Sequence, residues 1–322
     1  MDEEFNATQV GGILTSDPPR HTVSRRIMND QLSPRAMRGL EPSLQDRADA
    51  LVSILVARGS FDAVRDLAQA YSCEVIFDFV GLPEEGRELL LPGASAGFNL
   101  QGPANERFVS SGPDFKALMR HARDVAVPGR LSPHGKGAQI YGAAREGVID
   151  EWSAAGLMLS YTWAGIDTTV NGIANAVRLF AEHPDQWDLV RRDPALIPDA
   201  FSEVLRLESP VQVFTRSVAD DTEVAGVPLK SGSRVMVMYG SANRDERKYP
   251  DPERFDVLRR PTDNLAFGHG IHVCVGMTLA RMEAHTVLRA LASRVERMTI
   301  ASTSPRLNNT LRGPEVLEVR VS

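Results

Sequence analysis

Apolar residues recur at intervals of three and four over most of the chain, the spacing that gathers them on one face of an α-helix. Proline and glycine punctuate these runs. Between the breaks the spacing predicts helices over 33–57, 62–80, 83–99, 104–124, 148–181, 185–191, 194–207 and 275–296. The period changes to two in Val213–Val218, Thr222–Val227 and Ser233–Tyr239, and again over 297–302 and 315–321, which reads as strand. The pattern describes a mainly α protein with a minor β-sheet. The segment 148–181 is the most apolar of the helical runs and is expected to cross the core. No shift in composition marks a domain boundary, so a single domain over 1–322 is expected. The Pro/Gly-rich stretch Val127–Gly137 reads as a mobile surface connection.

Composition narrows the classes of function. The chain has 322 residues, 43% hydrophobic and 24% charged, an ordinary balance for a protein with a substantial core. A formal net charge of −6 argues against a general nucleic-acid binder. No run of about 18 apolar residues is present to span a membrane, and the acidic start Met1–Phe5 lacks the basic-then-apolar order of a secretory leader. A cytoplasmic protein is therefore expected. The two cysteines, Cys73 and Cys274, lie in unlike contexts, and no structural disulfide is expected between them.

Three short stretches carry the chemistry. The first is FGHGIHVCVG, Phe267–Gly276, followed by TLAR at Thr278–Arg281. Glycines at 268, 270 and 276 let the backbone turn tightly and approach a flat group closely. The helix start beyond them favours an anionic sulfur, which suits Cys274 to be the axial ligand of a haem iron. A lone cysteine is ordinarily a small buried hydrophobe; the glycine, histidine and arginine around this one set it apart. The second stretch is AGIDTT, Ala164–Thr169, within the long apolar run. There Gly165 leaves space beside the backbone, and the Thr168 hydroxyl can bond back to the Ala164 carbonyl, bending the helix and opening a groove. Asp167 sets an acid beside that hydroxyl. The third is EVLR, whose Glu203 and Arg206 share one helical face and can pair. Taken alone, such a pair is usually a solvated surface contact.

In their order along the chain, AGIDTT, EVLR and then FGHGIHVCVG, the three stretches resemble the signatures of the cytochrome P450 superfamily, and among its members the soluble bacterial haem-thiolate monooxygenases. The resemblance implies haem b (iron protoporphyrin IX) as cofactor, with Cys274 as the metal ligand and Phe267, Gly268 and Gly276 shaping the loop beneath it. Ala164 and Gly165 would lie along the other face, where Asp167 and Thr168 relay protons to bound dioxygen. Glu203 and Arg206 would form a structural network with a second arginine, Arg254 of PERF. The DPPRH stretch at Asp17–His21, with Arg25 four residues on, would place His21 and Arg25 on a haem propionate, joined by Arg216 and His272. Nothing in the chain looks like a flavin or nicotinamide domain. Electrons are then expected from external NAD(P)H through a 2Fe-2S ferredoxin and its ferredoxin reductase, docking on basic residues such as Arg25 and Arg26. A peroxide-driven enzyme and a non-catalytic haem-binding protein are the alternatives.

Longer phrases narrow the resemblance. FNLQGPANE (98–106), VNGIANAV (170–177), ESPVQVFTR (208–216), GSANRD (240–245) and LNNTLRG (307–313) are similar to the branch that oxidises para-substituted benzoates, including 4-methoxybenzoate demethylases. This implies hydroxylation or O-demethylation of a small aromatic substrate in a pocket of Phe98, Ser160, Trp163, Val211, Val213, Phe214 and Asn309. Two departures stand out. The polar segment that grips a carboxylate in that branch is replaced by FNATQVGG, which holds no cation, and Trp163 stands where the branch has a small residue. Family members also begin with a further segment of two helices and the first strands, where this chain has sixteen residues before DPP. The expectation is a cytochrome P450 fold lacking those elements, with an unpaired edge on the strand Ser233–Tyr239. A natural shortening, a misplaced start and a remnant that no longer turns over all fit that count.

Overall fold

The computed structural model describes residues 12–322. The helices are α1 (Arg20–Leu32), α2 (Pro34–Met37), α3 (Glu41–Arg58), α4 (Ala70–Val80), α5 (Leu90–Asn99), α6 (Glu106–Ser110), α7 (Gly112–Asp124) and α8 (Lys136–Arg145), then α9 (Glu151–Ala164), α10 (Asp167–Glu182), α11 (Pro184–Arg192), α12 (Ile197–Leu207), α13 (Tyr239–Ala242) and α14 (Met277–Ala292). A π-helical stretch, Ala63–Gln69, leads into α4. The strands are β1 (Ser60–Asp62), β2 (Val213–Ser217), β3 (Thr222–Val224), β4 (Val227–Leu229), β5 (Arg234–Met238), β6 (Met298–Pro305) and β7 (Pro314–Val321).

The core forms around α10. Val170, Ile173, Ala174, Val177 and Phe180 are buried along it, and the helix is enclosed by the π-helical stretch, α12, α14 and β6. One antiparallel sheet, in the order β1-β7-β6, brackets this core. Phe61 and Ile300 both stand opposite Val319 on the central strand, and the alternating Leu317 and Val319 are fully buried, as a strand with one face inward requires. Helix α14 is held from outside by α3: Arg289 donates to Gln45 and pairs with Glu41, and Arg294 pairs with Asp49.

The predicted elements are recovered with informative exceptions. The long run 148–181 is two helices, α9 and α10, parted at Gly165–Ile166. The run 104–124 divides at Ser111, just before Pro113 of α7. The run 33–57 divides at Arg38–Leu40 into α2 and α3. Within 83–99 a turn precedes α5, with Gly86 at φ +78°. Thr222–Val227 is a hairpin, not one strand: Ala225 and Gly226 take φ of +50° and +81°, the left-handed pair that matches the twist of a tight hairpin. Helix α8 was not expected, because its start lies at the end of the Pro/Gly-rich stretch. Those glycines serve close packing: a Cβ on Gly135 would stand 2.3 Å from the Val80 carbonyl oxygen, and one on Gly137 would meet Met158. Among the described residues β5 pairs with β2 alone, and its Met236 and Met238 are 58% and 55% exposed.

Candidate active site

The loop before α14 is folded by its own backbone. The Cys274 amide donates to the Phe267 carbonyl at 2.8 Å and the Val273 amide to Gly270 at 3.0 Å. Gly268 and Gly270 hold φ of +72° and +75°, which a side chain would strain. This closes the hairpin and brings Cys274 to the wall of a cavity of about 260 Å³, with Phe267, Gly268, His272 and Gly276 beside it. The sequence suggested a sulfur held as an anion. In the structure burial pushes the free thiol up, opposed by the Gly276 and Met277 amides and by Arg25 and Arg281. Removal of water outweighs two amides and two guanidinium groups; a bound metal would deprotonate the thiol outright.

The break between α9 and α10 forms the opposite wall. A Cβ on Gly165 would lie 2.5 Å from the Tyr161 carbonyl oxygen and 3.0 Å from Ile76. The Thr168 hydroxyl donates to the Ala164 carbonyl at 2.7 Å and that of Thr169 to Gly165 at 3.1 Å, so side chains take carbonyls that a continuous helix would use. Ala164, Gly165, Thr168 and Thr169 all face the cavity that Cys274 faces. Asp167 does not line it. The carboxylate is fully buried on the far side of the helix, where Oδ1 accepts from Arg306 Nη1 at 2.5 Å and Asn171 Nδ2 at 3.2 Å. Its Oδ2 has no partner. Burial pushes the Asp167 carboxyl up, against the pull of Arg306. The acid and the hydroxyl adjacent in sequence thus face different surroundings.

Two arginines and two imidazoles gather along one edge of the cavity, and burial favours the neutral form of both imidazoles. The rings of His21 and His272 meet edge to face with centroids 4.5 Å apart, and Arg25 donates to the Val273 carbonyl. Arg216 lines the same edge and reaches the Tyr239 hydroxyl at 3.3 Å. His21 Nε2 is buried without a partner. A soft sulfur on one wall, apolar surface around it, and an edge of arginines with an orphaned imidazole nitrogen fit a flat apolar macrocycle that carries a thiolate-seeking metal and a carboxylate edge.

Comparison with known proteins agrees with this geometry. The family model described as Cytochrome P450 matches residues 195–311. Cytochrome p450 CYP199A2 of Rhodopseudomonas palustris is 42% identical over 312 residues, covering 96% of this chain and 76% of the relative. The chain belongs to the cytochrome P450 family. Solved P450 structures share its fold: P450BioI in complex with an acyl carrier protein ligated to hexadec-9Z-enoic acid has a TM-score of 0.87 at 27% identity, covering 99% of this chain and 84% of that one. Cytochrome P450 CREJ, in complex with (4-ethylphenyl) dihydrogen phosphate, has a TM-score of 0.86 at 28% identity, covering 96% and 79%. As a P450 the protein is a monooxygenase whose cofactor is haem b, reduced by NAD(P)H through redox partners. Among the described residues no helix is long and apolar enough to cross a membrane.

The structure sorts the remaining residues expected at the P450 site. Phe98, Ser160, Trp163, Val211 and Phe214 line the cavity. Val213 does not, because side chains alternate along β2 and Phe214 takes the inward position. Asn309 is also a correction: its Nδ2 donates to the Asn99 carbonyl and its amide to Asn99 Oδ1, both at 2.9 Å, clamping the end of α5. Glu203 and Arg206 are fully buried and doubly bonded, at 2.7 and 2.8 Å. The second arginine on Glu203 is Arg259, at 3.0 Å, and not Arg254. Arg254 is exposed and contributes its carbonyl to both Arg206 and Arg259; a side chain whose backbone serves the network from outside cannot also reach its centre. Arg26 is exposed beside the cation edge. Of FNATQVGG, residues 5–11 lie outside the described residues, and Gly12 borders the cavity.

Sequence reasoning passed over two residues at the cavity. Gln101 lines it with a buried Oε1 that has no partner. Glu283 is 1% exposed, lines the cavity, and has neither oxygen hydrogen-bonded. Burial pushes its carboxyl well up. The signal was an acid on the buried stripe Leu279, Glu283, Val287 and Leu291 of α14.

Proposed function

We propose that this P450 hydroxylates or O-demethylates a small aromatic substrate, with electrons delivered by a separate 2Fe-2S ferredoxin and its reductase, in the cytoplasm. The reading rests on one observation: Cys274 and Thr168 line a single cavity, together with Arg25 and Arg216. When bound, haem b supplies the iron that reduces dioxygen and inserts one oxygen atom into the substrate. The balance is one substrate C–H bond, one dioxygen, two electrons and two protons in, and one C–OH and one water out. On a methoxy carbon the hydroxylated product loses formaldehyde and leaves a phenol.

The side chains have separable tasks. Cys274 offers sulfur to the metal from a loop closed by its own hydrogen bonds, and His21, Arg25, Arg216 and His272 hold the carboxylate edge. Thr168 keeps a hydroxyl proton at the bend of the helix, within the cavity. Asp167 stands behind it, with Oδ2 free to carry a proton and Arg306 restraining Oδ1. Phe98, Val211 and Phe214 exclude water from the substrate. Replacement Thr168→Ala is expected to leave haem binding intact and divert electrons to hydrogen peroxide, measured as product formed per NADH consumed. An unchanged ratio would remove Thr168 from the relay. Carbon monoxide added to the reduced protein should give the red-shifted Soret band of a thiolate ligand, and its absence would sink the assignment of Cys274.

A further inference from the structure

We infer that the substrate is a neutral, flat aromatic molecule bearing a hydroxyl, seated against Trp163 and hydrogen-bonded by Gln101, and that a carboxylate is excluded. This rests on the monooxygenase reading and narrows its substrate. Among the described residues, His21, Arg25, Arg216 and His272 are the basic groups that line the cavity. All four lie at the loop edge: the two imidazoles against each other, Arg25 on the Val273 carbonyl, and Arg216 on Tyr239. Haem b brings two carboxylates to that edge, matched by two arginines. A third carboxylate, on a substrate, would enter a low-dielectric space with no cation left for it among the described residues.

The substrate wall itself is apolar and fixed. It is formed by Phe98, Leu159, Trp163 and Val211, with Ser160 and Gln101 as its polar members. The Ser160 hydroxyl is already spent on the Gly156 carbonyl at 2.9 Å. The Trp163 ring packs against Phe98 and Phe115, with centroids 5.9 and 5.5 Å away. Its Nε1 is buried without a hydrogen-bond partner and is directed at Gly97 of α5, where a Cβ would stand 2.4 Å from it. Helix α5 therefore has a hole cut to the shape of this indole, which makes Trp163 a built wall. That leaves the Gln101 Oε1, buried and unpartnered, as the acceptor open to a ligand. The oxygen suits a phenolic O–H, and the neutral amide carries no charge to offset that of a buried carboxylate.

The test is an optical spin-state titration of haem-replete ferric protein, which reads binding without turnover. 4-Methoxyphenol and methyl 4-methoxybenzoate should each bind at least about tenfold more tightly than 4-methoxybenzoate near neutral pH. The apparent Kd of the acid should rise about tenfold per pH unit above its carboxyl pKa of about 4.3, because the protonated form alone enters, while the ester and the phenol stay flat. Gln101→Leu should weaken the phenol about tenfold and leave the ester unchanged. Benzoate binding as tight as that of the ester and independent of pH would overturn the inference, as would failure of both neutral ligands to bind. Neither result would touch the thiolate spectrum, whose loss would instead overturn the monooxygenase reading.

Discussion

At the scale of the residue, Glu283 shows how a buried acid couples stability to pH. Its carboxyl is pushed well above the ordinary value of 4.5 by burial among apolar neighbours. In the unfolded chain it ionises near 4.5, and in the folded protein it keeps its proton. Below that value both states are protonated and the group costs nothing. Above it the unfolded state is favoured by about 1.4 kcal/mol per pH unit until the folded group titrates. Glu283→Gln removes this slope while preserving shape. The variant should match the parent near pH 4.5 and gain thermal stability steadily as pH rises, seen in melting temperatures across a pH series. A constant difference at every pH would mean that Glu283 is ionised in the folded state.

At the scale of the element, Glu203 and Arg206 on α12 are joined by Arg259 from the segment after α13, and the Glu203 carboxylate takes a further bond from the Asp256 amide at 3.2 Å. Removing one partner from a buried pair leaves the other charge uncompensated, at about 3–5 kcal/mol. Arg259→Ala should therefore destabilise the holoprotein by a few kcal/mol in denaturant unfolding. Arg254→Ala, which removes an exposed side chain but keeps the carbonyl used by the network, should cost less than about 1 kcal/mol. Equal losses would mean that Arg254 enters the network in solution.

The same pair of arginines shows what the sequence could and could not reveal. The loop Phe267–Gly276 and the bend at Gly165 were legible because their geometry is set locally: glycines at positive φ, and hydroxyls bonding four residues back. Whether Arg254 or Arg259 meets Glu203 depends on how a chain with no regular structure folds over α12. The direction that Asp167 faces depends on Arg306, 139 residues away. Asn309, expected in the pocket, is taken by the clamp on α5, and Gln101, for which no role was expected, lines the cavity. Periodicity carries no information of that kind.

At the scale of the whole molecule, α9 and α10 supply one part of the cavity lining and the cysteine loop with α14 another, and α14 also packs directly on α10. Cys274, Thr168, Arg25 and Arg216 line the space that haem would fill, and contacts made to haem would add to the direct packing of α10 on α14. Haem is then part of the core, and binding to the folded state alone stabilises it in proportion to the logarithm of its occupancy, about 4 kcal/mol at a thousand times Kd. Removing haem should lower the melting temperature and reduce cooperativity, with the loop and the start of α14 exchanging amide protons fastest. Cys274→Ala should reproduce that state even with haem supplied, because the remaining contacts are to the edge and to apolar walls. Calorimetry and hydrogen exchange on the holoprotein, the haem-extracted protein and Cys274→Ala compare the three directly. A variant that melts with the holoprotein would show that the apolar walls, and not the sulfur, hold the two sides together.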